Sequence, residues 1–252
     1  MASESGHWYD NDGNPRYTIV GKNGQERPTT LRDAKKLGLV PSVTMVIGEA
    51  MKWGLVDWMI EQAVLAALTL PRQEGENDAD YVKRIREDGK EQARKASERG
   101  TEIHAMIEKG FMGLETNPFY EVVRDEIEGT IGETEFATEK SFTANFVYSF
   151  GGKVDLHNED VLIDIKTTDK DIAFLKTWDE HAMQLAAYDM GLGGVSRNCH
   201  ICYVNSITPQ ARLIPIDDIE RGWKMFYSLL KYYYARTGLF TKPIPLTSDE
   251  GR

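Results

Sequence analysis

Apolar residues recur along this chain with two periods, near two and near 3.6, and the switches between them mark its elements. In the first 30 residues, Trp8-Tyr9-Asp10 and Arg16-Tyr-Thr-Ile-Val20 flank the turn Asn11-Asp-Gly-Asn-Pro15, and Gly21-Lys-Asn-Gly24 makes a second turn, so this stretch reads as a small hairpin region. From Pro41 the spacing turns helical, breaks near Gly48 and resumes from Lys52 to Leu70. A polar break, Pro71 to Ala79, leads into a charged helix over Tyr81 to Gly100, which continues or restarts through Gly100-Thr-Glu-Ile-His-Ala-Met-Ile-Glu-Lys-Gly110. A helix is expected at Phe119 to Ile131, followed by strands at Thr134 to Phe142, Phe146 to His157 and Val161 to Thr168. Next come a helix from Ile172 to Gly191, closed by Gly191-Leu-Gly-Gly194, and a strand from Arg197 to Asn205. A turn at Thr208-Pro209-Gln210, a strand at Ala211 to Ile216 and a helix at Asp217 to Thr237 complete the pattern, leaving a loose tail after Lys242.

Composition narrows the class. With 252 residues, 41% of them apolar, the chain can bury a sizeable core, and the elements group into an N-terminal elaboration, 1–118, a core, 119–242, and a tail, 243–252, within one compact domain overall. No apolar run approaches about 18 residues and the start Met-Ala-Ser-Glu-Ser is not a signal peptide, so a soluble, cytoplasmic protein without a membrane partner is expected. Cys199 and Cys202 form a C-x-x-C within an alternating, strand-like segment and have no second pair to complete a zinc or iron–sulfur site, which makes them structural. The net charge of −10 excludes a broad basic footprint, but Lys83, Arg86, Lys90 and Arg94 recur at three- and four-residue steps, so one helical face can track phosphates. The interspersed Glu87, Glu91 and Glu98 leave open a plain solvated helix.

The chemistry concentrates in Phe150-Gly-Gly-Lys-Val-Asp155 and Asp164-Ile-Lys166. Two strands joined at Asn158-Glu159-Asp160 bring Asp155 and Asp164 together, and the period of two sends Asp164 and Lys166 to one face, Ile163 and Ile165 to the other. Charges in an apolar strand such as Val161-Leu-Ile-Asp-Ile are costly unless they have partners or work. Two hard oxygen ligands with room for water suit Mg²⁺, and a neighbouring ammonium can hold or deprotonate an attacking water or stabilise charge on phosphate. His104 falls among Ile103, Met106 and Ile107, either as a packed core residue or within reach of that metal. Ser42 suits a helix N-cap.

These residues, together with His7-Trp-Tyr, Pro41-Ser-Val-Thr44, Arg99-Gly-Thr-Glu-Ile-His104 and Gln184-Leu-Ala-Ala-Tyr188, resemble the RecB-type branch of the PD-(D/E)XK nucleases. Within it the chain is similar to phage-encoded exonucleases related to the mitochondrial genome maintenance exonuclease. The element order helix, three strands, helix, strand matches the restriction-endonuclease-like core of that superfamily. The resemblance implies an α/β (α+β) fold with a mixed sheet flanked by helices and a mainly helical N-terminal elaboration. It implies that Asp155, Asp164, the Ile165 carbonyl and His104 bind metal and that Lys166 is catalytic. Gln184 and Tyr188, one helical turn apart, would face the site or the DNA, unless Tyr188 packs into the core with Gln184 hydrogen-bonded behind Lys166. Ser42, Thr44 and Thr167 join the basic helix as expected DNA contacts. Glu139 stands where relatives carry a supporting acid, with Glu135 as a rival. The superfamily's proline is replaced by Val154, and the four cysteines of the iron–sulfur relatives and a Walker A motif are absent.

The expected function is therefore a Mg²⁺-dependent DNA exonuclease, with Mn²⁺ able to substitute, acting on DNA with a free end and favouring single strands. The competing readings are a structure-specific or nicking endonuclease with the same site and a catalytically silent DNA-binding recombination or packaging accessory.

Overall fold

A computed structural model of the chain describes residues 6–50 and 53–239. Its centre is a five-stranded mixed sheet in the order β5 (Ala137–Ala144), β6 (Phe150–His157), β7 (Val161–Thr168), β8 (Asn198–Asn205), β9 (Ala211–Pro215). All neighbours are antiparallel except β7 and β8, which run parallel because α6 (Asp179–Gly191) forms the crossover between them. The sheet therefore splits its apolar residues between two faces. Ile163 and Ile165 of β7 pack with Ile103 and Ile107 of α4 (Asp78–Phe111) and with Val123 and Ile127 of α5 (Pro118–Ile131). Leu162 joins Leu185 of α6, Phe226 and Leu230 of α7 (Ile219–Thr237), and the N-terminal Trp8, Val43 and Val46 on the opposite face.

The crossover helix α6 is buried continuously from His181 to Asp189. It lies between the sheet and α7, so it has no solvent face on which to place polar residues. Its polar side chains must then be satisfied inside the protein, and this requirement shapes the candidate site.

In the N-terminal elaboration the expected turn over Asn11 to Pro15 is present, closed by the Arg16 N–H to Trp8 carbonyl bond at 2.7 Å and a Tyr9–Pro15 bridge. β1 (Trp8–Tyr9) also pairs with β4 (Val40–Pro41), and β2 (Thr18–Val20) forms a second hairpin with β3 (Glu26–Pro28) across the Gly21–Gly24 turn. Between β3 and β4 runs a helix that the hydrophobic pattern does not reveal, α1 (Leu31–Leu37), closed at its start by a Thr30–Asp33 capping box and at its end by Gly38 in the left-handed region, φ 66°. Next come α2 (Val43–Ile47), capped by Ser42, and α3 (Trp53–Thr69). The segment from Asp78 to Phe111 is one unbroken helix rather than two. Further on, the expected helix from Ile172 is in fact a single 3₁₀ turn, Ile172–Phe174, followed by extended chain until α6 begins at Asp179. β5 starts at Ala137, not Thr134, and β6 at Phe150, not Phe146. The expected loose tail after Lys242 lies outside the described residues. Among the described residues, no helix is long and apolar enough to cross a membrane.

Candidate active site

The β6–β7 ladder is short. It pairs His157 with Leu162 and Leu156 with Ile163, and then the two strands part. Beyond that point the Asp155 carboxylate replaces the missing strand partner: its Oδ2 accepts the Ile165 backbone N–H at 2.7 Å. A residue's N–H and C=O point to the same side of a strand, so the Ile165 carbonyl also faces this gap.

Strand β6 changes face at the same place. Val154 belongs to the core on the α6 side and Leu156, two residues on, to the core on the α4 side. In a regular strand both would share one face. The opposing strand carries the matching irregularity at Glu139, which has φ 53° and falls between the ladder pairs Thr138–Leu156 and Lys140–Val154. A non-glycine residue in the left-handed region costs on the order of 1 kcal/mol. Glu139 pairs with Lys153. Glu135 is exposed and lies before β5, so only Glu139 stands across the sheet from Asp155.

Asp164 is 3% exposed and lies at the centre of a polar cluster. Gln184, projecting from the buried α6, donates from Nε2 to Asp164 Oδ1 at 2.7 Å and to the Tyr188 hydroxyl at 2.9 Å. Its Oε1 accepts from Lys166 Nζ at 3.1 Å. Lys166 Nζ also lies 2.6 Å from Asp164 Oδ2. That short contact makes the Lys166 ammonium the direct partner of Asp164 Oδ2. Gln184 thus touches Asp164, Lys166 and Tyr188 at once, while Tyr188 packs into the α6-side core as well. The two readings of the Gln184 and Tyr188 pair are therefore compatible.

Electrostatics follow from this crowding. Burial, and then the Asp164 charge, push the Asp155 carboxyl up to about 6, against the opposing pull of His104, the Ile165 N–H and Lys166. Burial works against the Lys166 ammonium, but Asp164 outweighs it and raises the pKa above the ordinary lysine value. Tyr188 is raised well above its ordinary value by burial and by both carboxylates. Lys166 is consequently held as the ammonium beside Asp164.

Because the folded-state pKa of Asp155 exceeds its unfolded value, ionising it weakens the metal-free fold. Stability from this group is complete below about pH 4 and declines as pH rises through about 6. In chelator-treated buffer, Asp155→Asn is expected to narrow the drop in melting temperature between pH 5 and pH 7. An unchanged drop, followed by thermal unfolding at both pH values, would remove the repulsion from the account.

Among the described residues, no three His, Cys, Asp or Glu side chains converge closely enough to enclose a metal ion by themselves. His104 Nδ1 is 3.8 Å from Asp155 Oδ2, beside the carboxylates but outside a ligand triad. The donor set still fits a hard dication that keeps several waters and takes one or two carboxylates. Asp155 is held next to the like charge of Asp164, a repulsion that a cation between them would relieve.

The remaining candidates divide by position. Ser42 Oγ accepts the Met45 N–H at 3.1 Å as the cap of α2 and pairs with the Thr44 hydroxyl at 3.1 Å. A bridge from Ser42 to Gly151 places both beside β6. Thr167 lies under α4, where a Cβ on Gly100 would come 2.8 Å from its Oγ1. Gly100 is thus the residue that lets α4 approach β7 and bring His104 to Asp155.

Lys83, Arg86, Lys90 and Arg94 are all exposed on the preceding turns of α4. Arg86 and His104 are separated by about five turns, so the basic stripe and His104 share one side of the helix. At a rise of 1.5 Å per residue, Lys90 lies ~20 Å along the axis from His104. Arg94 is clasped by Glu91 and Glu98, and Lys83 lies 4.0 Å from Glu87.

Cys199 and Cys202 are free and buried in opposite cores, which rules out a shared ion. Burial raises the pKa of both, Cys199 to about 12. A cavity of about 930 Å³ is lined by Asp189, Arg197, His200 and Trp223 among others and includes none of the carboxylate cluster.

No protein-family model matches the sequence, and no curated protein is similar to it. Among solved structures, the chain is similar to a proposed exonuclease from Eubacterium rectale, with a TM-score of 0.42 and 13% identity over 55% of this chain and 66% of that one. It is also similar to a protein called SSO0001, with a TM-score of 0.32 and 16% identity over 73% of this chain and 88% of that one. The chain thus spans just under two thirds of the first of these proteins, and likenesses this weak assign neither family nor chemistry.

Proposed function

We propose that this chain is a divalent-metal-dependent DNA exonuclease of the RecB-type PD-(D/E)XK kind, acting on single strands with a free end. The observation that supports it most directly is the convergence of Asp155, Asp164 and Lys166 at the point where β6 and β7 separate, with Gln184 bridging Asp164 and Lys166 from behind. Buried charge of this kind is costly unless it serves a ligand or a reaction.

Asp155 and Asp164 would hold Mg²⁺ or Mn²⁺, which supplies Lewis-acid polarisation of the phosphate and a more acidic water. Lys166, kept protonated by Asp164, donates to the attacking water or to a non-bridging phosphate oxygen and offsets the charge that develops there. Gln184 fixes the rotamers of Asp164 and Lys166, and His104 lends positive character beside Asp155 when protonated. The water oxygen bonds to phosphorus as one ester P–O bond breaks, and the proton that the water gives up is returned through solvent to the departing sugar oxygen, leaving a phosphate monoester and a free hydroxyl.

The basic stripe of α4 leads toward His104 and gives the substrate strand an approach on an otherwise acidic protein. Since Arg94 is already engaged by two glutamates, Lys90 and Arg86 carry more of the phosphate contact. Lys90→Gln is expected to weaken binding and lower the slope of log affinity against log salt by about 0.7 per lost phosphate contact on single strands. Unaltered salt dependence in a titration would leave α4 as a solvated helix.

The test of the reading itself is digestion with Mg²⁺ of linear and covalently closed circular single strands of one sequence. Linear strands should be consumed while circles persist. Rapid cutting of circles would favour the endonuclease alternative, and binding without hydrolysis of either would favour the DNA-binding accessory.

A further inference from the structure

Three sequence motifs that the carboxylate cluster leaves unused meet at one cavity of about 240 Å³, lined by His7, Tyr9, Tyr17, Ser42, Thr44, Gly152, Lys153 and Tyr188 among others. His7 and Tyr9 come from the first strand region, Ser42 and Thr44 from the start of α2, and Gly152 from the paired glycines of β6. The glycines are what let the rings approach. A Cβ on Gly151 would come 2.6 Å from the Tyr9 ring, and one on Gly152 would come 2.9 Å from Tyr188. Tyr188 links the cavity to the reacting groups, because its hydroxyl accepts from Gln184, which donates to Asp164.

The lining is aromatic and rich in hydroxyls. The His7 and Tyr17 rings stack with centroids 4.4 Å apart at 25°, and Tyr9 and Tyr17 share a hydroxyl hydrogen bond of 2.6 Å. His7 nonetheless remains exposed, so its ring is available beyond the face covered by Tyr17. Among the described residues that line the cavity, Lys153 is the one lysine or arginine, and it is paired with Glu139. A site for a terminal phosphate needs unpaired positive charge or a fork of donors, whereas a base needs a ring to stack on and neutral hydrogen-bonding groups around it.

We propose that this cavity is a subsite for one nucleoside unit of the substrate strand, whose base stacks on His7 while Tyr17, Ser42 and Thr44 face its polar edge and sugar, and that it does not read a terminal phosphate. The inference rests on the nuclease reading above and adds a specificity element to it. Such a subsite would seat the strand beside Asp164 by its base.

Binding in chelator, where cleavage is suppressed, separates the alternatives. Full-length protein and its His7→Ala and Tyr17→Phe variants are titrated by fluorescence anisotropy with labelled linear single strands. The strands are intact, or carry one abasic residue scanned along the sequence, each with and without end phosphates. Loss of the stack should weaken binding of intact DNA by His7→Ala roughly tenfold. At one abasic position the same substitution should cost almost nothing more, because base and ring are then removed as a pair. Tyr17→Phe keeps the ring under His7 but removes the hydroxyl that faces the base and sugar, so it should weaken intact DNA less than His7→Ala, by roughly threefold, and end phosphates should add less than twofold.

Equal losses on intact and all abasic strands, or an end phosphate that strengthens binding tenfold, would overturn the subsite while leaving the nuclease reading standing. If wild-type protein binds no single strand and, with Mg²⁺ restored, digests none, both fall. Circular dichroism of each variant confirms that the comparison is between folded proteins.

Discussion

Asp164→Asn and Lys166→Ala are each expected to reduce DNA hydrolysis at least about a hundredfold while leaving the fold intact. Removing a preorganised electrostatic contributor commonly costs about 3 kcal/mol of barrier, which is a factor of about a hundred or more in rate. Asp164→Asn keeps the side-chain volume and an oxygen for Gln184 Nε2, so the cluster loses its charge but not its packing. Lys166→Ala leaves Gln184 Oε1 without its donor and removes the cation that faces Asp164. Purified Asp164→Asn that digests labelled DNA at near the wild-type rate would end the assignment of this site. Asp155→Asn should lose activity similarly, and in metal-free buffer should melt no lower than wild type, since it also removes one of two apposed charges.

The largest expected effect on stability lies away from the chemistry, at Arg197. Its guanidinium donates to Asp189 at 2.9 Å and to the Asn158 carbonyl at 2.8 Å, and the two side chains of the ion pair are 9% and 5% exposed. Arg197 thereby ties the end of α6 to the β6–β7 turn, and so fixes the helix that carries Gln184 relative to the strands that carry Asp155 and Asp164. Removing one partner of a buried pair strands the other, at a cost of about 3 to 5 kcal/mol. Arg197→Met should lose about that much in urea unfolding, whereas Arg221→Ala, which breaks the exposed pair with Asp179, should lose less than about 1 kcal/mol. Equal losses at the two positions would mean that burial does not decide the strength of these pairs.

Much of the fold was legible because its signals are local. The alternation in Val161 to Thr168 correctly assigned Ile163 and Ile165 to one core and left Asp164 and Lys166 on the other face. The three-residue turn at Asn158 correctly joined two antiparallel strands, helped by Asn158 Oδ1 accepting the Asp160 and Val161 N–H groups. The exceptions depend on distant partners. The chain from Ile172 has helical spacing, yet Arg212 of β9 donates to the carbonyls of Ile172, Ala173 and Leu175 and so ties the segment to the sheet as a single turn. Trp8 and Tyr9 make the expected local contacts across the turn, the Arg16 N–H to the Trp8 carbonyl and a Tyr9–Pro15 bridge, but they also pair with Pro41 and Val40, which no local pattern encodes. α1 carries its signal in its caps, the Thr30-Leu-Arg-Asp33 capping box and Gly38, rather than in a hydrophobic period.

The candidate site divides along the same line. Asp155, Asp164 and Lys166 follow from strand register, and the geometry brings them together. The bridging by Gln184 rests on α6 being buried on all sides, which periodicity alone does not reveal. The change of face across Asp155 was invisible, because it is tied to a left-handed backbone at Glu139 on a different strand. The basic stripe was correctly placed on one helical side, but its ion pairs to Glu91 and Glu98 depend on rotamers that sequence does not specify.

The Ile165 amide has a carboxylate, not a backbone carbonyl, as its partner across the gap between β6 and β7. This makes one backbone hydrogen an intrinsic reporter of the charge state at the site. Its proton resonance and exchange rate should respond to protonation of Asp155 and to arrival of a cation, while the amides of Leu162 and Ile163, within the regular ladder, stay constant. A backbone spectrum can therefore follow ligand binding at this centre without any added probe, substrate or mutation.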